Sequence, residues 1–329
     1  MKAIVVTAKG DPRVLDARSL DAPEITADNQ VLVKIAAAGV NPIDTKMRAG
    51  NLFGAEFPFI PGCDASGTVV ETGSAVTGFK PGDSVWYCQG GLGLAQGNYA
   101  EFNVLEEWQL QHKPQSIDFV EAAAAPLVLI TAWESLFTQA KLQAGETVLI
   151  HAGAGGVGHV AIQLAKWRGA RVITTVSSAQ KAAFAHEIGA DVTIDYTTEE
   201  LPQRIAELTD GRGCDVVYDT VGPAVFQASI PLTAHYGRLV TLINPAGIDW
   251  SEARIRNLAV HFTLMLAPWV RNLRDHWLRQ GDILKQCAQL FDSGHLRINV
   301  QQMLPLQQAA EAHRIIEQGH ASGKIVLTM

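Results

Sequence analysis

Apolar residues fall along this chain in two rhythms. Up to about residue 120 they come in short runs rich in β-branched residues: "KAIVV" (2–6), "QVLVKIAAAGV" (30–40), "ASGTVVETG" (65–73) and "DSVWYC" (83–88). Turn sequences such as "KPGD" (80–83) separate them, which predicts strands joined by tight turns. From about residue 125 apolar strands alternate with helical periods. The strands are expected at "TVLIHA" (147–152), "RVITTV" (171–176), "DVTIDY" (191–196), "CDVVYD" (214–219), "GRLVTLI" (237–243) and "AVHFTLML" (259–266). Near-continuous apolar strands separated by helices predict a parallel sheet covered on both faces. With right-handed crossovers this gives an α/β doubly wound, Rossmann-like domain. The segment 301–329, "QQMLPLQQAAEAHRIIEQGHASGKIVLTM", reads as a helix and a terminal strand that fits either domain.

Composition narrows the picture. A chain of 329 residues, 47% hydrophobic and 18% charged, suits two globular cores. A net charge of −7 without a basic run argues against nucleic-acid binding. The most apolar stretch, "AAAAPLVLITAW" (122–133), is too short to span a bilayer, so no membrane partner is expected. The chain opens "MKAIVV", straight into a strand, without the apolar core and cleavage site of a signal peptide. Cys63, Cys88, Cys214 and Cys287 lie far apart with no CxxC, as reduced thiols of a cytoplasmic protein do.

The candidate chemistry begins at "TVLIHAGAGGVGHVAIQLAKWRGA" (147–170), which holds Gly153-x-Gly155-x-x-Gly158. A lone glycine triplet says little, but here a strand precedes it. Val157, Val160, Ala161, Leu164 and Ala165 follow as one apolar helix face, and Gly169 reads as its stop. Gly153, Ala154, Gly155, Gly156 and Val157 would let backbone approach a pyrophosphate at a helix N-terminus. His151 reads as a strand residue with a structural hydrogen bond, not as a base. At the end of the next strand an Asp or Glu would hold a ribose hydroxyl. This chain has Ser177, Ser178 and Lys181 there, with Tyr196 at the end of the third strand. Hydroxyls and a cation suit a 2′-phosphate, which a carboxylate would repel, so the expected cofactor is NADPH.

Several motifs together resemble the medium-chain dehydrogenase/reductase superfamily, and within it the zinc-independent quinone oxidoreductase (ζ-crystallin-like) branch. They are "AAGVNPIDTKMRAG" (37–50), "PGCDASGTVVETGSAVTGFKPGDSV" (61–85), "AAAAPLVLITAWESL" (122–136), "HAGAGGVG" (151–158), "DTVG" (219–222) and "GKIVL" (323–327). The resemblance implies a GroES-like catalytic domain made by both chain ends (1–124 and 264–329) around an NADP-binding domain (125–263). It places Asn41 and Asp44 toward the nicotinamide, with Thr131, Leu242, Ile243, Asn244 and Lys324 also lining that region. Zinc-dependent relatives carry Cys where this chain has Asn41 and His where it has Cys63, so no metal is expected. "NPID" also reads as a helix start, with Asn41 as its cap. Family members often carry Tyr where Lys46 stands; it is either a solvated helix residue or a cation beside an oxyanion. The loop "CQGGLGLAQGNY" (88–99) reads as a mobile lid.

Without a Lewis acid to hold an alkoxide, reduction of a conjugated acceptor is the less demanding chemistry. The expected activity is hydride transfer from NADPH to a quinone or α,β-unsaturated carbonyl. The competing expectations are an enoyl-thioester reductase and a non-catalytic, crystallin-like NADPH-binding protein. The apolar sixth strand, with His261 its only strongly polar residue, predicts a homodimer through residues near 259–266.

Overall fold

A computed structural model describes residues 1–50, 53–93, 95–319 and 322–329. The chain forms two compact units, Met1–Leu127 with Pro268–Met329, and Val128–Ala267. The crossings fall at 127/128 and 267/268, a few residues beyond the expected 124/125 and 263/264. The C-terminal helix and strand, unassigned by pattern alone, belong with the N-terminal unit.

The first unit opens with β1 (Lys2–Val6), β2 (Leu15–Ser19), β3 (Gln30–Val40) and helix α1 (Pro42–Gly50). β4 (Asp64–Thr72), β5 (Ser84–Cys88), β6 (Phe102–Glu106), β7 (Gln111–His112) and α2 (Phe119–Ala124) follow. β3 and β4 pair antiparallel, and β6 lies against β3. Alternation along β3 puts Val31, Val33 and Ile35 on one side, where they pack with Ala65, Val69, Val85, Tyr87 and Leu105. Each such side chain withdrawn from water contributes about 1.5–3 kcal/mol.

The second unit begins with α3 (Pro126–Trp133), whose start overlaps the crossing. Its strands are β8 (Thr147–Ile150), β9 (Arg171–Val176), β10 (Val192–Asp195), β11 (Cys214–Asp219), β12 (Thr233–Thr241) and β13 (Ala259–Phe262). The connecting helices are α4 (Gly156–Trp167), α5 (Ala179–Glu187), α6 (Leu201–Leu208), α7 (Pro223–Ser229) and α8 (Ser251–Ile255). The strands pair in parallel in the order β10-β9-β8-β11-β12-β13. Chain direction across the sheet reverses between β8 and β11, the switch point where open α/β sheets bind ligands beyond their carboxyl ends. Leu149, Ile173, Ile194, Val217 and Leu239 supply the buried layer against Phe226 and Ile205.

The sixth strand is shorter than its apolar run. It ends at Phe262, because the Ala267 amide donates to Leu264 O at 2.9 Å in a turn that leads into Pro268. β12 starts earlier than expected, at Thr233, since a bulge lets Thr233 pair with Cys214. The chain then passes through α9 (Ala267–Arg271) and α10 (Arg274–Asp292) to β14 (Val300–Pro305), α11 (Ala309–Gln318) and β15 (Lys324–Thr328). β15 pairs antiparallel with β3, which carries Lys324 to the end of that strand.

Candidate active site

The glycine turn sits at the carboxyl end of β8. Gly153 N donates to Thr175 O at 3.2 Å, and Gly155 N donates to Ala152 O at 2.9 Å. Gly155 then caps α4 in an extended conformation, so the first amides of the helix are left for a ligand. Two glycines are required by space. A Cβ at Gly153 would stand 2.1 Å from Thr174 Oγ1, and one at Gly158 would stand 2.2 Å from Ala152 O. Gly169, at φ +85, closes the helix as expected, its amide donating to Lys166 O at 2.8 Å.

The end of β9 presents the polar set read from the sequence. Lys181 Nζ donates to Ser177 Oγ at 3.0 Å. Ser178 is the N-cap of α5; its oxygen accepts from Lys181 N at 3.3 Å, which leaves its hydroxyl hydrogen to be donated. Tyr196 N donates to Val176 O at 3.2 Å, so the exposed Tyr196 ring (57%) stands beside the same terminus. A 2′-phosphate would meet one ammonium and up to three hydroxyl donors here, without a carboxylate of the ribose-binding type.

Beyond β11 and β12 a third part of the unit is organised by a residue that sequence reasoning passed over. Asp219, the first residue of "DTVG", is fully buried. Its Oδ1 accepts from Val221 N at 2.9 Å and Gly222 N at 3.1 Å, and its Oδ2 accepts from Thr241 Oγ1 at 2.8 Å. The same Thr241 hydroxyl oxygen accepts from Ile243 N at 3.2 Å. One carboxylate thus ties the loop after β11 to Thr241 and, through the Thr241 hydroxyl, to Ile243. A strand-terminal Asp followed three residues later by a glycine, Gly222, was the available signal. Thr131 lies on α3, nearly buried, its carbonyl accepting from Ser135 Oγ at 2.8 Å.

In the first unit a cluster of charged and polar side chains is closed to solvent. Asn41, Asp44 and Asp64 are 0% exposed and Lys324 is 3% exposed. Asn41 does not cap α1 with its side chain; instead Asp44 reaches back, its Oδ2 accepting from Asn41 N at 2.8 Å. This frees the Asn41 amide, whose Nδ2 donates to Asp64 Oδ2 at 2.9 Å and whose Oδ1 accepts from Lys324 Nζ. Lys324 Nζ also donates to Val40 O at 3.3 Å and lies 3.9 Å from Asp64 Oδ2. Its ammonium is therefore committed inside the fold. The Cys63 thiol faces Asp44 Oδ1 at 3.7 Å, and Tyr99 OH donates to Asp44 Oδ2 at 3.3 Å.

Burial sets the protonation states. Desolvation pushes the Asp44 carboxyl up to about 7, against the hydrogen bond from Asn41, with the Asp64 charge adding to the rise. Desolvation also raises Asp64, opposed by Lys324 and Asn41, and lowers Lys324, opposed by Asp64. The Cys63 thiol is pushed up by burial and by both carboxylates. A zinc ion does not fit these residues: the Asn41 amide is spent on internal bonds, the thiol is held protonated, and a buried ammonium would repel the dication. Among the described residues no group of three or more His, Cys, Asp or Glu is arranged to hold a metal.

Lys46 is solvent-exposed on α1, the solvated of its two readings. The expected lid is built for close packing. Asn98 Nδ2 donates to Gly62 O, Cys63 O and Gln89 O at 2.6–3.1 Å, and Gly97 N donates to Ile60 O at 3.0 Å. A Cβ at Gly90 would stand 1.9 Å from Gln96 O, so its glycines serve backbone approach. Leu94, within that loop, lies outside the described residues.

A doubly wound sheet with this glycine turn, attached to a GroES-like unit, defines the class of two-domain dinucleotide-dependent dehydrogenases and reductases. Residues 27–115 match the alcohol dehydrogenase GroES-like domain family, and residues 188–327 match the family described as zinc-binding dehydrogenase. The chain is 37% identical to the quinone oxidoreductase of Pseudomonas aeruginosa over 327 residues, covering 99% of each. It is 34% identical to the chloroplastic NADPH-dependent alkenal/one oxidoreductase of Arabidopsis thaliana, covering 99% of this chain and 79% of that protein. The structure of Escherichia coli quinone oxidoreductase complexed with NADPH superposes with a TM-score of 0.89 at 31% identity, covering 100% of both chains. The chain belongs to the medium-chain dehydrogenase/reductase superfamily, and within it to the ζ-crystallin-like quinone oxidoreductase branch.

Proposed function

We propose that this protein is an NADPH-dependent oxidoreductase that transfers hydride to a quinone or an α,β-unsaturated carbonyl without zinc. The observation that carries the reading is the lysine-neutralised carboxylate cluster, in which Asn41 and Cys63 stand where metal-dependent relatives have ligands. Fixed hydrogen-bond donors suit an acceptor that spreads its negative charge by conjugation; they suit an isolated alkoxide poorly. Bound NADPH supplies the hydride. In this reading the amides of Gly153–Val157 hold the pyrophosphate, and Ser177, Ser178, Lys181 and Tyr196 hold the 2′-phosphate. Thr131, Leu242, Ile243 and Asn244 hold the nicotinamide. Asn41 and Asp44, buried and bonded to one another and to Asp64, Tyr99 and Lys324, act as a positioning network rather than as groups that touch the acceptor, and the proton comes from water. Lys324 acts through Asn41 by fixing the amide's orientation.

A homodimer through β13 belongs to the same reading. That strand is the sheet edge opposite β10, with Phe262 55% exposed and Leu264 53% exposed just beyond it. Replacing both with Lys should yield monomers; a monomeric wild type at micromolar concentration would refute the interface. Four free, buried cysteines suit a cytoplasmic setting. No helix of the described chain is long and apolar enough to cross a membrane.

NADPH oxidation should be screened against quinones, enones and enoyl thioesters. Turnover with the first two classes is expected. Turnover confined to enoyl thioesters would reassign the substrate, and tight binding without turnover would favour a non-catalytic role.

A further inference from the structure

We infer that His151 is a positioning residue for the dinucleotide: acting through Thr175, it holds the Ala152 amide and so the turn that opens the glycine loop. The inference rests on the NADPH reading above. Counting hydrogens fixes the roles around the ring. Ser229 has one hydroxyl hydrogen and donates it to Val225 O at 2.7 Å, so its oxygen accepts from His151 Nε2 at 2.9 Å. Nε2 therefore carries the ring proton and Nδ1 is an acceptor. Thr175 Oγ1 already accepts from Ala152 N at 3.0 Å, which turns its own hydrogen toward His151 Nδ1 at 3.4 Å. Two chains of donors meet at the imidazole, Ala152 N–H to Thr175 O–H to Nδ1, and Nε2–H to Ser229 O–H to Val225 O. They link the ends of β8, β9 and α7. His151 is 4% exposed, and burial lowers its pKa to about 4, so the neutral ring keeps this pattern in neutral solution.

The latch matters because of what it holds. Ala152 has φ +52, a left-handed conformation that a residue with a Cβ adopts only when its surroundings enforce it. Its carbonyl accepts from Gly155 N at 2.9 Å, and the same oxygen would meet any Cβ at Gly158. The orientation of one strained peptide thus sets the path of the backbone that meets the pyrophosphate. The main-chain carbonyl of His151 is pinned separately, accepting from Thr220 Oγ1 at 2.8 Å, so its side chain is the adjustable part. Because the pyrophosphate is common to both nicotinamide cofactors, loosening the latch should weaken NADPH and NADH equally, unlike any change at Ser177, Ser178 or Lys181.

Two substitutions divide the ring's functions. His151→Asn places a carbonyl oxygen near the Nδ1 position and keeps the acceptor for Thr175, while losing Ser229. His151→Gln places an amide nitrogen near Nε2 and keeps the donor to Ser229, while losing the acceptor for Thr175. Dissociation constants for NADPH and NADH, measured by titration of nucleotide fluorescence, should rise about tenfold or more in His151→Gln with their ratio unchanged. They should stay within about threefold of wild type in His151→Asn. Thr175→Val, which preserves shape, should match His151→Gln and carries the test if that variant does not fold. Equal losses in the Asn and Gln variants, or wild-type binding by Gln, would overturn the latch while the NADPH reading stands. A wild type that binds neither nucleotide would sink that reading and this inference together.

Discussion

At the carboxyl end of the six-stranded sheet, the groups offered to a ligand are backbone amides and hydroxyls drawn from short, contiguous stretches. In the GroES-like unit the comparable groups are side chains from separate segments (Asn41 and Asp44, Cys63 and Asp64, Tyr99, Lys324), and each is already bonded to another. The first arrangement is open: Ser177, Ser178 and Lys181 are half-buried and Tyr196 is exposed. The second is closed, so its charges are held far from water and their protonation depends on one another. The difference separates two ways of binding charge. One region lends dipoles and a solvated cation to an incoming phosphate at little cost to stability; the other fixes charges internally and makes stability hostage to their balance.

The largest contrast is expected from removing one lysine on each side. Lys324→Met leaves the Asp64 carboxylate buried without its cation, and a buried pair broken in this way costs about 3–5 kcal/mol. Lys181→Ala, on a partly solvated helix start, should change stability by no more than about 0.5 kcal/mol. Denaturant midpoints of both variants check this, and a Lys324→Met protein as stable as wild type would erase the distinction.

A pH titration sharpens it further. The Asp44 carboxyl rises from its ordinary 3.8 to about 7 in the fold. The folded state therefore keeps a proton that the unfolded chain has released across that window, so stability falls as pH rises from about 4 to about 7. The ceiling on this loss is about 4 kcal/mol. Asp44→Asn lacks the titrating group, and its melting temperature should fall less than that of wild type between pH 5 and pH 8. Parallel slopes would place the carboxyl's titration elsewhere.

How much of this was legible in the sequence follows from the same contrast. The glycine turn, the strand alternation and the Ser177–Ser178–Lys181 set lie within a few dozen consecutive residues, and local periodicity and backbone sterics write them directly. Strand limits were less so. β13 stops at Phe262 although the apolar run continues through Leu266, because a turn toward Pro268 overrides propensity. The cluster in the first unit joins residues almost 300 positions apart, and only strand pairing brings Lys324 beside Asn41. "NPID" looked like a capped helix start, yet tertiary partners claimed the Asn41 side chain and left Asp44 to do the capping. The glycines of the 88–99 loop suggested motion, and the close approaches at Gly90 to Gln96 O and at Gly97 to Ile60 O give them a packing role that the sequence did not show.

A smaller effect is expected at the open site. Wild type should bind NADPH at least about tenfold more tightly than NADH, equivalent to about 1.4 kcal/mol. Lys181→Ala should remove most of that preference while leaving NADH affinity nearly unchanged. Equal affinities in the wild type would contradict the assignment of the 2′-phosphate to the end of β9.

The central claim is that the closed cluster does without a metal while the open site holds NADPH. It is tested most directly by NADPH oxidation with a quinone and an enone, using protein dialysed against a strong chelator and checked for metal by elemental analysis. The account predicts that turnover with both acceptors is the same before and after dialysis, with no zinc near one per chain in either sample. Turnover that disappears on chelation and returns with added zinc would contradict it.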